Sequence, residues 1–208
     1  MDKNDDSQAS VKILILGESA VGKTSILVRY VDDKFEEAGI STLGVDYKYK
    51  IIKFESLKIK LQIWDTSGEE KYRSIARNFL RNAQGLLIVF DITNINSFAK
   101  VKDWIKDAEE YNENLKIILI GNKLDLENKR KVEKDIAINF ANKIGLKYIE
   151  TSAKNGENIG EAFKALIDLL FQGKNEKVIL EEYGNDSQNT SLTIESEKGN
   201  KNIKKKCC

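Results

Sequence analysis

Eight consecutive residues, Gly17-Glu18-Ser19-Ala20-Val21-Gly22-Lys23-Thr24, place two glycines, a lysine and a threonine at the spacing G-x-x-x-x-G-K-[S/T]. The chemistry suited to that spacing is the cradling of a polyphosphate. Gly17 and Gly22 let the backbone approach charged oxygens, and the amides of residues 19–24, with the positive end of a following helix, face that charge. Lys23 would reach the β- and γ-phosphates, and the Thr24 hydroxyl would ligate Mg²⁺. An ordinary strand-to-helix turn that happens to carry Lys and Thr has the same letters, and the pattern names neither a base nor a reaction.

A second cluster, Asn122-Lys123-Leu124-Asp125, suits guanine, because the Asp125 carboxylate can accept from both the ring N1–H and the exocyclic amine. Adenine presents no such donor pair. Leaving a buried carboxylate unpaired is costly, so the preference can reach the order of 10⁴. Taken alone, N-K-x-D fits a solvated loop. It gains meaning from its place after a phosphate loop and one strand–helix unit before Glu150-Thr151-Ser152-Ala153-Lys154, where the Ala153 amide could read the guanine O6.

The elements that must position these residues follow from periodicity. Residues 11–16 form an apolar run that reads as a buried strand, and residues 25–30 continue as a helix. Residues 32–41 are polar and lack a core period, which predicts a mobile loop. Residues 45–54 and 57–64 flank Glu55-Ser56 as a hairpin, the second run alternating through Lys58-Ile59-Lys60-Leu61-Gln62-Ile63-Trp64. A helical piece then runs to about Arg81, and residues 85–90 form another buried strand. Ser97 is expected to cap a helix whose core face holds Val101, Trp104, Ile105 and Ala108. Residues 117–120 form a third buried strand, 134–144 a helix closing at Gly145, 148–149 a short strand and 159–171 a last amphipathic helix. Strands alternating with helices predict a mostly parallel sheet covered on both faces, with the hairpin giving one antiparallel edge. In such sheets ligands sit at the carboxyl ends of the strands, where Gly17, Asp65, Gly121 and Thr151 fall. The expected organisation is a disordered lead over residues 1–10, a nucleotide-binding domain over 11–173, and a disordered tail over 174–208, where Asn, Glu, Ser and Lys dominate.

Composition bounds the rest. With 34 Lys+Arg against 33 Asp+Glu the net charge is +1, so no overall field recruits nucleic acid. The chain contains no His, which removes histidine catalysis and histidine metal sites. Residues 85–90 and the other apolar runs are far shorter than the roughly 20 residues of a membrane-spanning helix. The acidic, polar start lacks a secretory pattern, so a cytosolic chain is expected. Both cysteines, Cys207 and Cys208, are the last two residues, a position that suits a covalent anchor.

In the order and spacing of Gly17 through Thr24, Ser41-Thr42-Leu43-Gly44-Val45-Asp46-Tyr47, Lys60-Leu61-Gln62-Ile63-Trp64, Asp65-Thr66-Ser67-Gly68, Asn122 through Asp125 and Ser152 through Lys154, the chain resembles a Ras-like small GTPase, specifically of the Rab family. The resemblance implies a six-stranded α/β fold of the P-loop type. It also implies binding of GTP or GDP with Mg²⁺, GTP hydrolysis, and recruitment of effectors in the GTP form. The nucleotide would be held by Gly17, Glu18, Ser19, Ala20, Val21, Gly22, Lys23, Thr24, Ser25, Phe35, Thr42, Gly68, Asn122, Lys123, Asp125, Ser152, Ala153 and Lys154. Thr24, Thr42 and Asp65 would hold Mg²⁺. Gly68 matches the amide that senses the γ-phosphate, and Phe35 the aromatic that lies against guanine. Lys23, Thr42, Gly68 and Glu69 would form the catalytic group. Leu43, Gly44, Val45 and Asp46, with the aromatic triad Tyr47, Trp64 and Phe79, match the surface that effectors contact; plain packing would also account for the three rings.

The chain departs from the family at Glu69, where relatives carry the glutamine that orients the attacking water. A carboxylate accepts from that water but has no proton for the transferring phosphoryl group, and it adds charge beside a polyphosphate. Slow intrinsic hydrolysis is the expectation, although a Glu can also act as a base and an activating protein of the TBC type resembles a donor of both an arginine and a glutamine. Ser67 is a milder change, and Gly39 stands where many relatives have an aromatic, which implies a looser switch I. Lys201 and Lys204-Lys205-Lys206 precede the cysteines. A solvated end explains the lysines alone; resemblance to Rab termini implies geranylgeranylation of Cys207 and Cys208 and a lipid anchor on the cytosolic face of an intracellular membrane, with a prenylation escort and a GDP-dissociation inhibitor as partners besides effectors, exchange factor and GTPase-activating protein. Two lipid chains and a basic patch suffice for stable attachment. A vicinal disulfide is the other use of the pair, disfavoured in a reducing compartment. Two other functions compete with a cycling switch: a GTP-holding effector platform, which Glu69 favours, and a P-loop metabolite kinase, which leaves Asn122, Asp125 and the cysteines unexplained. Nothing in the sequence calls for an obligate oligomer, and a monomer is expected.

Overall fold

The computed structural model describes residues 7–35, 44–68 and 73–184. Thr42, Leu43, Glu69, Gly39, most of the expected 32–41 loop, the C-terminal lysines and both cysteines lie outside them.

Six strands form one sheet in the order β2-β3-β1-β4-β5-β6. They are β1 (Ala9–Leu16), β2 (Val45–Phe54), β3 (Leu57–Thr66), β4 (Gly85–Asp91), β5 (Lys116–Asn122) and β6 (Lys147–Thr151). Only β2 runs antiparallel, paired to β3 from Val45 opposite Thr66 to Phe54 opposite Leu57. Among the described residues seven α-helices accompany the sheet, α1 (Lys23–Asp32), α2 (Arg73–Leu80), α3 (Ile95–Ala99), α4 (Val101–Tyr111), α5 (Lys134–Lys143), α6 (Ile159–Phe171) and α7 (Glu176–Tyr183), with a 3₁₀ turn over Leu124–Lys129. The expected mostly parallel sheet with one antiparallel edge is therefore the observed one.

Central strands read as unbroken apolar runs because both faces are buried. Val11, Ile13 and Ile15 of β1 point into a core shared with α1 and α6, while Leu14 and Leu16 point into a second core beneath α4 and α5. Leu87 and Val89 of β4 join the first core, and Leu86, Ile88 and Phe90 the second. Period 2 thus sorts each strand between two layers.

Three expectations need correction. The first strand starts at Ala9, with Ser7, Ala9 and Ser10 buried, so the fold begins before residue 11. The residues after 173 are not wholly a disordered tail, because α7 caps on Asn175, whose side chain accepts from the Val178 amide, and buries Ile179 and Tyr183. Gly184 then bridges back to Ala9. Asn94, rather than Ser97, caps α3. The Ser97 hydroxyl is instead buried and accepts from the Asp91 amide at 3.0 Å.

Candidate functional site

The carboxyl ends of β1, β3, β5 and β6 converge, and four loops leave the sheet there. The loop after β1 is shaped by close backbone approach. A Cβ at Gly17 would meet the Val89 carbonyl oxygen at 2.1 Å, and one at Gly22, whose φ is +95°, would meet the Asn122 amide nitrogen at 2.4 Å. Gly22 also caps α1 without a side-chain bond, so the first amides of that helix face the loop. Lys23 is 5% exposed and its ammonium donates to the carbonyls of Gly17 at 2.9 Å and Glu18 at 2.8 Å. Burial pulls its pKa down to about 8, opposed by the charges of Asp65 and Glu18. Ser19 and Ala20 are exposed, Ser25 is half-buried and Val21 is buried.

From β3, buried Asp65 accepts the Thr24 hydroxyl at 2.5 Å. Two hard oxygens in one place suit Mg²⁺, and the close glycine approach leaves a cradle that any side chain would fill, so these residues fit a nucleotide and its metal. Gly68 lies against the same loop, since its Cβ would fall 2.2 Å from the Glu18 carbonyl carbon and 2.3 Å from the Ser19 amide. Gly44 accepts from the Ser67 amide at 2.8 Å and so stays beside β3.

Asn122 ties three loops together. Its amide nitrogen donates to the Val21 carbonyl at 2.9 Å, and its oxygen accepts from the Thr151 hydroxyl at 3.2 Å and the Ala153 amide at 3.4 Å. Ser152 donates to Asp125 at 2.7 Å. Lys123 adopts φ +72° and pairs with Asp91 at 2.8 Å. Arg29 of α1 donates to the carbonyls of Ala153 at 2.8 Å and Lys154 at 2.9 Å, so the phosphate-loop helix also holds the last loop. Arg130 reaches back to Glu150 at 2.8 Å, and Tyr148 donates to the same carboxylate at 2.8 Å. Burial and that bond push the Tyr148 hydroxyl far above its ordinary range.

Asp91, Arg29, Arg130 and Tyr148 escape the motif reading. A charge ending the apolar β4 run was the available signal for Asp91; the others show only as contacts. Phe35 is half-buried against the first core. Away from the loops, Tyr47, Trp64 and Phe79 form a continuous ring cluster, with centroids 4.7 and 4.8 Å apart and Tyr47 39% exposed. Lys12 lies over the rings of both Trp64 and Phe79. Val45 is half-buried and Asp46 exposed beside them.

A family model described as the Ras family matches residues 12–172. Ras-related protein Rab-3D of Homo sapiens is 43% identical over 168 residues, covering 80% of this chain and 77% of that protein.

Proposed function

Because the chain belongs to the Rab family of small GTPases, within the Ras superfamily, we propose that its residues 17–25, Gly68 and the two loops beyond β5 and β6 hold a guanine nucleotide whose γ-phosphate decides effector recruitment in membrane traffic. The protein is a GTP hydrolase working with GTP, GDP and Mg²⁺. The observation that most supports the site assignment is Asn122, one side chain bonded to the phosphate loop and to both residues that flank Ser152. The amides of residues 19–24 and Lys23 bind the phosphates, and Asp125 with the Ala153 amide reads the base. Thr24, Thr42 and Asp65 hold the metal. Held by those residues, Mg²⁺ would supply positive charge that offsets the charge of the phosphate oxygens. Tyr47, Trp64 and Phe79, with residues 43–46, present the effector surface.

Glu69 sets the rate in this scheme: it holds the attacking water but adds negative charge, so intrinsic turnover is slow. Chromatography of bound nucleotide over several hours after loading with GTP and Mg²⁺ tests this. Glu69→Gln is expected to release phosphate faster than the native chain, and equal turnover overturns the electrostatic account. Persistent GTP that an activating protein also fails to discharge favours an effector platform instead of a cycling switch.

Lipid chains on Cys207 and Cys208 would hold the protein on the cytosolic face of an intracellular membrane, with an escort and a GDP-dissociation inhibitor covering them in transit. Among the described residues no helix is long and apolar enough to cross a membrane. Mass spectrometry of the chain from its native cells is expected to show two added prenyl groups; unmodified cysteines would refute the anchor.

A further inference from the structure

The side chain of Glu18 has a partner that phosphate binding does not require. Trp104 of α4, 3% exposed, donates its indole N–H to Glu18 Oε1 at 3.1 Å, joining residues 86 apart in the chain. The backbone of the same glutamate is engaged twice more. Its carbonyl oxygen accepts from Lys23, and its peptide to Ser19 is the surface against which Gly68 sits. Beside it lies a cavity of about 530 Å³ whose walls include Glu18, Ser19, Lys100 and Asp103, so the loop borders open space on that side. An indole anchored in the second core therefore holds a peptide plane that must face phosphate, lysine and Gly68 in one orientation.

We infer that Trp104 and Glu18 form a positioning pair that locks the phosphate loop in its binding shape and slows nucleotide release. The inference rests on the nucleotide site proposed above. A hydrogen bond to a charged acceptor is stronger than a neutral one, and its loss frees the loop only through Glu18. Trp104→Phe keeps an aromatic ring and removes the donor; Glu18→Ala removes the acceptor. Each is expected to release fluorescent GDP about tenfold faster than the native chain. The double variant should release no faster than either single one, because both remove the same bond. Ile105→Val, which trims the neighbouring core position on α4, should leave release at the native rate.

Unchanged release in Trp104→Phe, effects that multiply in the double variant, or equal acceleration by Ile105→Val would each overturn the pair. A native chain that retains no guanine nucleotide would sink the site assignment instead. In that case amide hydrogen exchange decides: Trp104→Phe should speed exchange over residues 17–22 while Ile105→Val does not, and native-like exchange in Trp104→Phe overturns the anchor.

Discussion

The Ser152 hydroxyl donates to Asp125 and its oxygen accepts from the Asn155 amide at 3.1 Å, so one small side chain both aims the carboxylate and closes its own loop. Ser152→Ala should weaken GDP and GTP binding by the same factor, about fivefold for one lost bond, because in the proposed site Asp125 meets the base and is blind to the γ-phosphate. Titration with both nucleotides checks this, and unequal losses would contradict it. Tyr30 offers a test in pH. Its ring stacks on Phe163 at 3.7 Å, and burial pushes its hydroxyl up to about 12. An unfolded tyrosine ionises near 10, so the folded chain keeps a proton that the unfolded chain gives up between about pH 10 and 12. This part of the stability is complete below pH 10 and falls as pH rises through that window. Urea denaturation at both ends should show a shallower loss in Tyr30→Phe, which keeps the stack and has nothing to ionise. Residues such as Lys23, Thr24 and Asn122 were legible because their neighbours in sequence carry the pattern. The bonds of Trp104 and Arg29 were not, because their partners lie 86 and 124 positions away and only folding brings them together.

Helix α4 buries Val101, Trp104, Ile105, Asp107 and Ala108. Trp104, Asp107 and Tyr111 follow one another at steps of three and four and so share a face. Asp107 accepts from Arg77 of α2 at 3.2 Å, and the Arg77 and Arg81 guanidinium groups lie 5.6 and 5.8 Å from the Tyr111 ring. The bond to Asp107 holds the Arg77 guanidinium above its ordinary pKa. Because the Arg77 side chain is exposed to solvent, its replacement by Ala should leave global stability close to native. Its local effect is larger: hydrogen exchange along α2 should accelerate while α6 stays at the native rate, and uniform acceleration would contradict a local role. At this scale the sequence was most readable where apolar period was complete, as in β1, β4, β5 and α6. Cap chemistry was less so, because Asn94 and Ser97 are both capable caps and tertiary burial of Ser97 chose between them. Helix α7 was missed for a related reason. Half of its residues are charged, and of its apolar ones only Ile179 and Tyr183 are buried, packed on β1 and on the Phe171 ring, 5.4 Å from Tyr183.

For the whole molecule, α7 acts as a clasp between the two ends of the described chain. Glu176 accepts from the Ser56 amide at the hairpin turn, Lys174 bonds to Tyr183, and Gly184 bridges to Ala9. Ile179 is fully buried, so Ile179→Ala should remove about 2–4 kcal/mol and lower the Tm by several degrees. Guanine nucleotide affinity should remain near native in the folded protein, since that end of β1 is remote from the site; a matching loss of affinity would show the clasp to reach the phosphate loop. The strand itself sets the separation, for eight residues of β1 span roughly 23 Å from Ala9 to Leu16. The molecule therefore has two poles, one where Gly184 meets Ala9 and one where the loops of the proposed nucleotide site gather. A contact made at one pole leaves the surface of the other open, so two partners can engage the domain together without competing.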